Sequence, residues 1–335
     1  MSKRITLKEI AQAAGVSTAT VSYIINKTPS QTIPEATSEK VRKVIAEMGY
    51  VPNMAARSLS ARKSHLIGVV IPQSEPGKQF MFSNPFYGEI LSSIEFEARK
   101  SGYDIILSGT DVNERYFEIA QKRSLDGIII VGLYPHDYYD GLEQSEIPVV
   151  LVDSYCEGLP FPEIRSDDVN GARNAVKMLI DNGHSKIAFI TGPLRNQGVD
   201  KQRFLGYQQA FEDAGLKFDS SWIFQGDVTF ESGKSFATMI AGGSDLTAAF
   251  ITSDIVAIGF ASQFKNLGKR IPDDFSIISF DDTYLARTSS PELTAVHQDI
   301  AKKGREAVRM ILEQRNDLVT LDLDLVERDS VRKLE

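Results

Sequence analysis

A single cysteine, Cys156, occurs in the 335 residues, which excludes any disulfide within the chain. A lone thiol of this kind reads as a small buried hydrophobe. Histidine is nearly as scarce: His65, His136, His184 and His297 are too scattered to form a metal-ligand motif. His297 reads as a structural residue at a strand or crossover. No apolar run reaches the length of a membrane span, and no basic-then-apolar leader opens the sequence. The cytoplasm is therefore the expected compartment, and no membrane partner is expected. There is no Walker-type glycine loop, no G-x-S-x-G elbow and no G-x-G-x-x-G after the apolar run at 66–71. These absences speak against the common nucleotide-dependent, hydrolytic and dinucleotide-dependent enzymes. No catalytic residue, metal or cofactor is expected.

What the chain does contain is ordinary in bulk and uneven in distribution. Hydrophobic residues make up 42% and charged residues 24%, as in soluble globular proteins, and the length requires two or three domains. The net charge of −8 argues against a nucleic-acid partner until it is divided. Residues 1–63 hold ten Lys/Arg against four acids, a net of +6, which leaves −14 for the remainder. A small basic head on a large acidic body suits a head that rests on phosphate.

Within the head, Thr6-Leu-Lys-Glu9 is a capping box, so a helix starts at Leu7 with Leu7, Ile10, Ala11 and Ala14 on one face. Gly15 stops it, Val16 plugs the core, and Ser17 caps a second helix from Thr18 to Asn26. Two short helices joined by a glycine-containing turn form a helix-turn-helix. Val21, Ile24 and Ile25 point inward on the second helix. Thr18, Ala19 and Tyr23 are assigned to base edges in the major groove, and Thr20, Ser22 and Asn26 to phosphates. A third helix covers 35–48, with Val41, Val44, Ile45 and Met48 as its apolar stripe, and ends at Gly49. Residues 53–59 are predicted to form about two helical turns, too short to be stable alone. Such a segment makes sense if it folds on DNA, with Leu59 wedged into the minor groove beside Arg57. Thr6, Ser17, Tyr50 and Asn53 complete the set assigned to double-stranded DNA.

From Leu66 onward the pattern becomes α/β. Apolar strands are predicted at 66–71, 103–107, 127–131, 149–152, 187–191, 223–225, 248–252 and 276–280. Helices alternate with them at 87–101, 171–182, 201–214 and 231–240. Continuous apolar strands with amphipathic helices between them mean doubly wound parallel sheets covered on both faces, and the grammar runs twice. Two subdomains with a cleft between them are expected. Ligands of open α/β sheets bind beyond the carboxyl ends of strands. The candidates there are Ser74 to Tyr87, Gly132 to Tyr134, Asp153, Thr191 to Gly198, Ser253, Asp254, Asp281 and Asp282.

Three motifs, Gly15-Val-Ser-Thr-Ala-Thr-Val-Ser22, Gly49-Tyr-Val-Pro-Asn53 and Ala56-Arg-Ser-Leu59, resemble the headpiece and hinge helix of the lactose/galactose-repressor family, in its order and spacing. The body resembles that family's periplasmic-binding-protein-like sensor over nearly its whole length. Supporting motifs include Ser83-Asn-Pro-Phe-Tyr87, Gln202-Arg-Phe-Leu-Gly206, Thr252-Ser-Asp254 and Ile278-Ser-Phe-Asp-Asp282. The resemblance implies a regulator with a headpiece at 1–50, a hinge helix and linker at 51–64, and a sensor and dimerisation domain at 65–335. The sensor divides into subdomains of roughly 65–161 plus 291–319 and 162–290 plus 320–330. It implies that Arg203 and Asp281 are the principal polar effector ligands, with Ser253, Asp254 and Asp167 near the cleft and Phe86 and Tyr87 as its aromatic wall. A sugar or sugar derivative is the expected effector, with a purine or nucleoside as the alternative.

Several features depart from the family. Tyr23 stands where an arginine or histidine is usual and cannot grip guanine with two hydrogen bonds, so the operator half-site is expected to differ. Val228 replaces a frequent aromatic. The stretch 74–82 is an insertion expected to form a lid, with Phe80 or Phe82 touching ligand. The stretch 110–126 is shorter than usual, so the second helix of the first subdomain is expected to be stubby. A homodimer on a near-palindromic operator is expected, because the residues after Ser330 are too few for a heptad zipper.

Overall fold

Runs such as Val69, Val70 and Ile71 or Ile128, Ile129 and Ile130 are apolar on both faces of a strand, so they are stable only inside a sheet with a covering layer on each side. Such a layout appears in the structure, a computed structural model that describes residues 5–26, 31–50, 63–72, 81–110, 124–132, 146–155 and 160–334. The hinge residues Asn53, Arg57 and Leu59, the insertion up to Phe80, Cys156 and the stubby helix expected within 110–126 lie outside the described residues. The chain forms two units, Met1–Ser64 and His65–Glu335.

The first unit is helical: α1 (Leu7–Ala14), α2 (Thr18–Asn26) and α3 (Glu35–Met48). The capping box forms as its residue types require. The Glu9 amide donates to Thr6 Oγ1 at 3.3 Å, and the Thr6 amide donates to Glu9 Oε2 at 2.7 Å. Gly15 turns the chain at φ +68°, where a Cβ would be strained. Ser17 Oγ accepts the Thr20 amide at 3.1 Å and so starts α2. Ile10, Ala11, Ala14, Val21, Ile24 and Val41 close the core, with Ile25, Val44, Ile45 and Met48 packed against it.

The second unit contains two six-stranded sheets. Strands β1 (Leu66–Pro72), β2 (Asp104–Thr110), β3 (Gly127–Val131), β4 (Val149–Val152), β5 (Glu163–Ser166) and β11 (Leu318–Leu321) form the first, in the order β11-β5-β4-β3-β1-β2. Strands β6 (Ile187–Thr191), β7 (Ile223–Gln225), β8 (Ala248–Ile251), β9 (Ser276–Asp281), β10 (Thr294–His297) and β12 (Asp324–Val326) form the second, in the order β12-β10-β9-β8-β6-β7. All pairings are parallel except β12 against β10. Helices α4 (Pro85–Lys100) and α10 (Ile300–Glu313) cover one face of the first sheet through Ile90, Ile94, Val308 and Ile311. In the second sheet, α5 (Asp168–Asp181) and α6 (Val199–Asp213) cover Phe189, Phe250 and Phe280. Its opposite face packs on α7 (Phe230–Ala241) and α8 (Asp254–Asn266). A short helix, α9 (Tyr284–Thr288), follows β9.

The crossings between sheets differ from the sequence boundaries. β5 pairs with β4 and β11, so the first crossing follows Ser166 rather than residue 161. β10 pairs with β9, so the return follows His297 rather than residue 290. The last crossing lies between Leu321 and Asp324, because β11 belongs to the first sheet and β12 to the second.

Helices α7 and α8 meet through glycine. A Cβ at Gly233 would lie 2.1 Å from the Val256 carbonyl oxygen, and one at Gly259 would lie 2.0 Å from that of Phe230. Neither backbone can retreat without lifting its helix off the sheet. Gly259→Ala is expected to cost about 1–3 kcal/mol, read as a lowered urea midpoint of the whole chain. An unchanged midpoint would show that the helices can part.

Candidate functional site

On the headpiece, Thr18 and Ala19 are exposed at the N-terminus of α2, and Tyr23 joins them one turn later with 37% of its surface open. Thr20 and Ser22 are half-buried beside them. The Thr20 hydroxyl is shared with Ser17 Oγ at 2.9 Å, and the Thr6 hydroxyl donates to Glu9 Oε2 at the same distance. Thr6 and Ser17 therefore already serve as helix caps, and the Thr20 hydroxyl is bound to the second of them. Asn26 is the last residue of α2. Tyr50, placed on the DNA face by the sequence, is 9% exposed and belongs to the hydrophobic core of the unit.

The second site is a polar centre where the carboxyl ends of both sheets converge. Arg203, on α6, donates from Nε to Asp168 Oδ1 at 2.7 Å and from Nη1 to the Thr252 carbonyl at 2.6 Å. Its guanidinium lies 3.6 Å from the centre of the Phe280 ring. Burial opposes its charge, but Asp168, Asp281 and Asp200 raise its pKa and hold it protonated. Asp168 also accepts the Tyr155 hydroxyl. Asp281 ends β9 at φ +108° and accepts the Gln298 amide on Oδ1 at 2.6 Å. Burial raises its carboxyl well above the ordinary range, against the pull of Arg203.

Lys303 completes the centre. Its Nζ donates to both Asp153 oxygens, at 2.8 and 2.7 Å, and to Gln298 Oε1 at 2.8 Å. Burial raises the Asp153 carboxyl and Lys303 opposes that rise. Gln298 Oε1 also accepts the Ser166 hydroxyl at 3.2 Å. Gln298 thus lies at the crossing after β10 and joins Lys303, which packs with the first sheet, to Asp281 of the second.

The residues expected at the cleft fall into three groups. Arg203 and Asp281 reach the centre; Ser253 follows Thr252, whose carbonyl binds Arg203, and its Oγ is buried with no hydrogen-bond partner among the described residues. Phe86 and Tyr87 sit edge to face with centroids 5.4 Å apart, half-buried against the first core, and Lys303 Nζ lies 6.0 Å from the Phe86 ring. Asp167, Asp254 and Phe82 have other surroundings. Asp167 caps α5, accepting the Asn170 amide at 3.2 Å and its side-chain Nδ2 at 2.6 Å. Asp254 accepts from Ser279 at 2.6 Å and from the Thr283 amide and hydroxyl at 2.6 and 2.8 Å, bracing the loop after β9, with its pKa pushed up to about 6 by burial. Phe82 stands 62% exposed on the turn Met81–Ser83.

Sequence reasoning missed Asp168, Tyr155, Gln298 and Lys303, and named Asp153 only as a polar residue following a strand. Asp168 is the immediate neighbour of the residue chosen. Lys303 carried a legible signal, because it interrupts the apolar stripe of Ile300, Ala307, Val308 and Ile311 at helical spacing.

Comparison with known proteins agrees with this layout. The family described as "Bacterial regulatory proteins, lacI family" matches residues 6–53, and "Periplasmic binding protein-like domain" matches residues 176–331. The HTH-type transcriptional regulator DegA of Bacillus subtilis is 36% identical over 312 residues, covering 91% of this chain and 89% of that protein. The HTH-type transcriptional repressor PurR of Vibrio vulnificus is 32% identical over 342 residues, covering 98% and 99%. The solved lac repressor dimer bound to operator and the anti-inducer ONPF superimposes with a TM-score of 0.85 at 25% identity, over 98% of this chain and 100% of that one.

Proposed function

The chain belongs to the LacI family of transcriptional regulators, and from that premise we propose that it is a repressor binding a near-palindromic operator as a homodimer under the control of a small effector. The observation that carries the effector half is the meeting of Arg203 and Asp281 beyond the strand ends, with Ser253, whose buried hydroxyl has no partner among the described residues, next in the chain to the Thr252 carbonyl that Arg203 binds. A carboxylate acceptor beside a guanidinium fork reads hydroxyl groups, so a sugar or sugar derivative is the effector class this centre fits. The exposed face of Thr18, Ala19 and Tyr23 on a basic head supports the DNA half. No described helix is long and apolar enough to cross a membrane, and we assign the protein to the cytoplasm with no catalytic role.

Two heads of such a dimer would enter successive major grooves roughly 34–36 Å apart. Effector binding at the crossings would shift one subdomain against the other and change the spacing of segments 53–59. On the reading that those segments fold on DNA, a small change in spacing becomes a large change in affinity.

A gel shift at low salt with fragments of its own promoter tests the reading, and failure to retain any fragment ends it. Tyr23→Ala is expected to weaken the retained fragment by about 1–2 kcal/mol, roughly tenfold, without changing binding to random DNA. Equal loss on both would move Tyr23 from base reading to a backbone contact.

A further inference from the structure

Lys303 is fully buried, and its ammonium is committed. Two Asp153 oxygens and Gln298 Oε1 surround it within 2.8 Å. By taking the amide oxygen of Gln298, it obliges the amide nitrogen to face Asp281. Asp281 therefore receives a neutral donor on Oδ1, while Oδ2 receives none among the described residues. The second guanidinium nitrogen of Arg203, Nη2, likewise makes no hydrogen bond among them.

Charge and stacking narrow what can fill this place. Lys303 and Arg203 are already matched by Asp153 and Asp168, so no positive charge is left for a ligand to meet, whatever the protonation of Asp281. Asp254, buried nearby, adds a further carboxyl rather than a cation. A further anion in this low-dielectric centre would be repelled. A flat base stacks on an open aromatic face, and at Phe280 that face is already covered by Arg203 at 3.6 Å. A hydroxyl can donate to Asp281 and accept from Arg203 at once.

We propose that Lys303 sets the charge class of the effector: committed to Asp153 and Gln298, it leaves a cleft that takes an uncharged polyol and rejects its phosphate esters. The proposal rests on the effector reading above. Its test is the thermal midpoint of the full chain titrated with ribose, glucose, cellobiose, ribose 5-phosphate and glucose 6-phosphate. At least one neutral sugar is expected to raise the midpoint, and esters to bind at least tenfold more weakly than their parents.

Asp153→Asn releases Lys303 to meet an anion, and asparagine tolerates the φ of +52° at this position. The ratio of ester to parent affinity should move toward the ester at least tenfold. The double variant Lys303→Met/Asp153→Asn restores the charge difference and should restore the discrimination, which mere loss of packing would not. An ester that equals its parent, an ester that alone binds, silence from all five probes, or a double variant as permissive as Asp153→Asn would overturn the proposal. Operator retention by the same preparation separates its failure from failure of the regulator reading.

Discussion

Lys303→Met should destabilise the chain by about 3–5 kcal/mol at neutral pH, because it leaves Asp153 buried without its cation. Methionine fills the same space on the stripe of α10, so packing is nearly conserved and the loss is electrostatic. Its pH dependence follows. Burial already raises the folded Asp153 carboxyl above 3.8, and removing Lys303 removes the leading opposing influence. Between the unfolded and folded values the native chain holds a proton that the unfolded chain has released, so stability falls as pH rises through that window. The deficit of the variant against the parent should therefore shrink on acidification from pH 7 to pH 5. Urea unfolding of both proteins across that range measures it. The double variant Lys303→Met/Asp153→Asn should regain most of the loss. A deficit independent of pH, or a double variant no better than the single, would mean that the lysine stem and not its charge stabilises the fold.

The headpiece was legible because its determinants are local. Thr6 and Glu9 lie three residues apart, Gly15 alone among its neighbours accepts a left-handed turn, and Ser17 meets the first turn of its own helix. The eight strands read from the sequence were legible for a different reason: each carries apolar residues that only a covered sheet can bury. The crossings were not legible. β5 is Glu-Ile-Arg-Ser, and its membership is decided by Val152 of β4 and Leu318 to Leu321 of β11, distant in the chain. β10 and β11 are four residues each, short enough that no local signal says which sheet receives them.

At the site, residues that end strands were found and residues that act through other side chains were not. Asp281 ends the apolar strand β9, and Ser253 lies two residues beyond the last apolar residue of β8. Asp168 differs from Asp167 only in direction: the first residue of α5 points into the protein toward Arg203, while the cap before it bonds Asn170. Asp254 has the right type and place, but Ser279 and Thr283 already occupy both its oxygens. Partnership of this kind is a tertiary fact, and no periodicity encodes it.

Arg203 concentrates the same lesson in the variant with the most direct functional readout. Arg203→Lys keeps a positive charge near Asp168 but loses the planar fork that serves Asp168 Oδ1 and the Thr252 carbonyl while Nη2 makes no hydrogen bond among the described residues. An ammonium gathers its donors on one atom and cannot reproduce the spread of Nε, Nη1 and Nη2 across the plane of the guanidinium. Each hydrogen bond to a charged group contributes about 1.5–3 kcal/mol, so effector affinity should fall roughly 10- to 100-fold. Arg203→Met should go further, leaving the Asp168 carboxylate with only the Tyr155 hydroxyl as a side-chain partner among the described residues, a hydroxyl that also reaches the Ser166 carbonyl, at a stability loss of about 3–5 kcal/mol. Effector titrations of operator retention, run beside urea unfolding, distinguish the two. If Arg203→Lys keeps the parent's effector response while Arg203→Met merely unfolds, Arg203 is a brace between α6 and the first turn of α5, and the ligand is read elsewhere in the cleft. If lysine folds but no longer responds, the fork itself is the contact by which the effector reaches the crossing between the sheets.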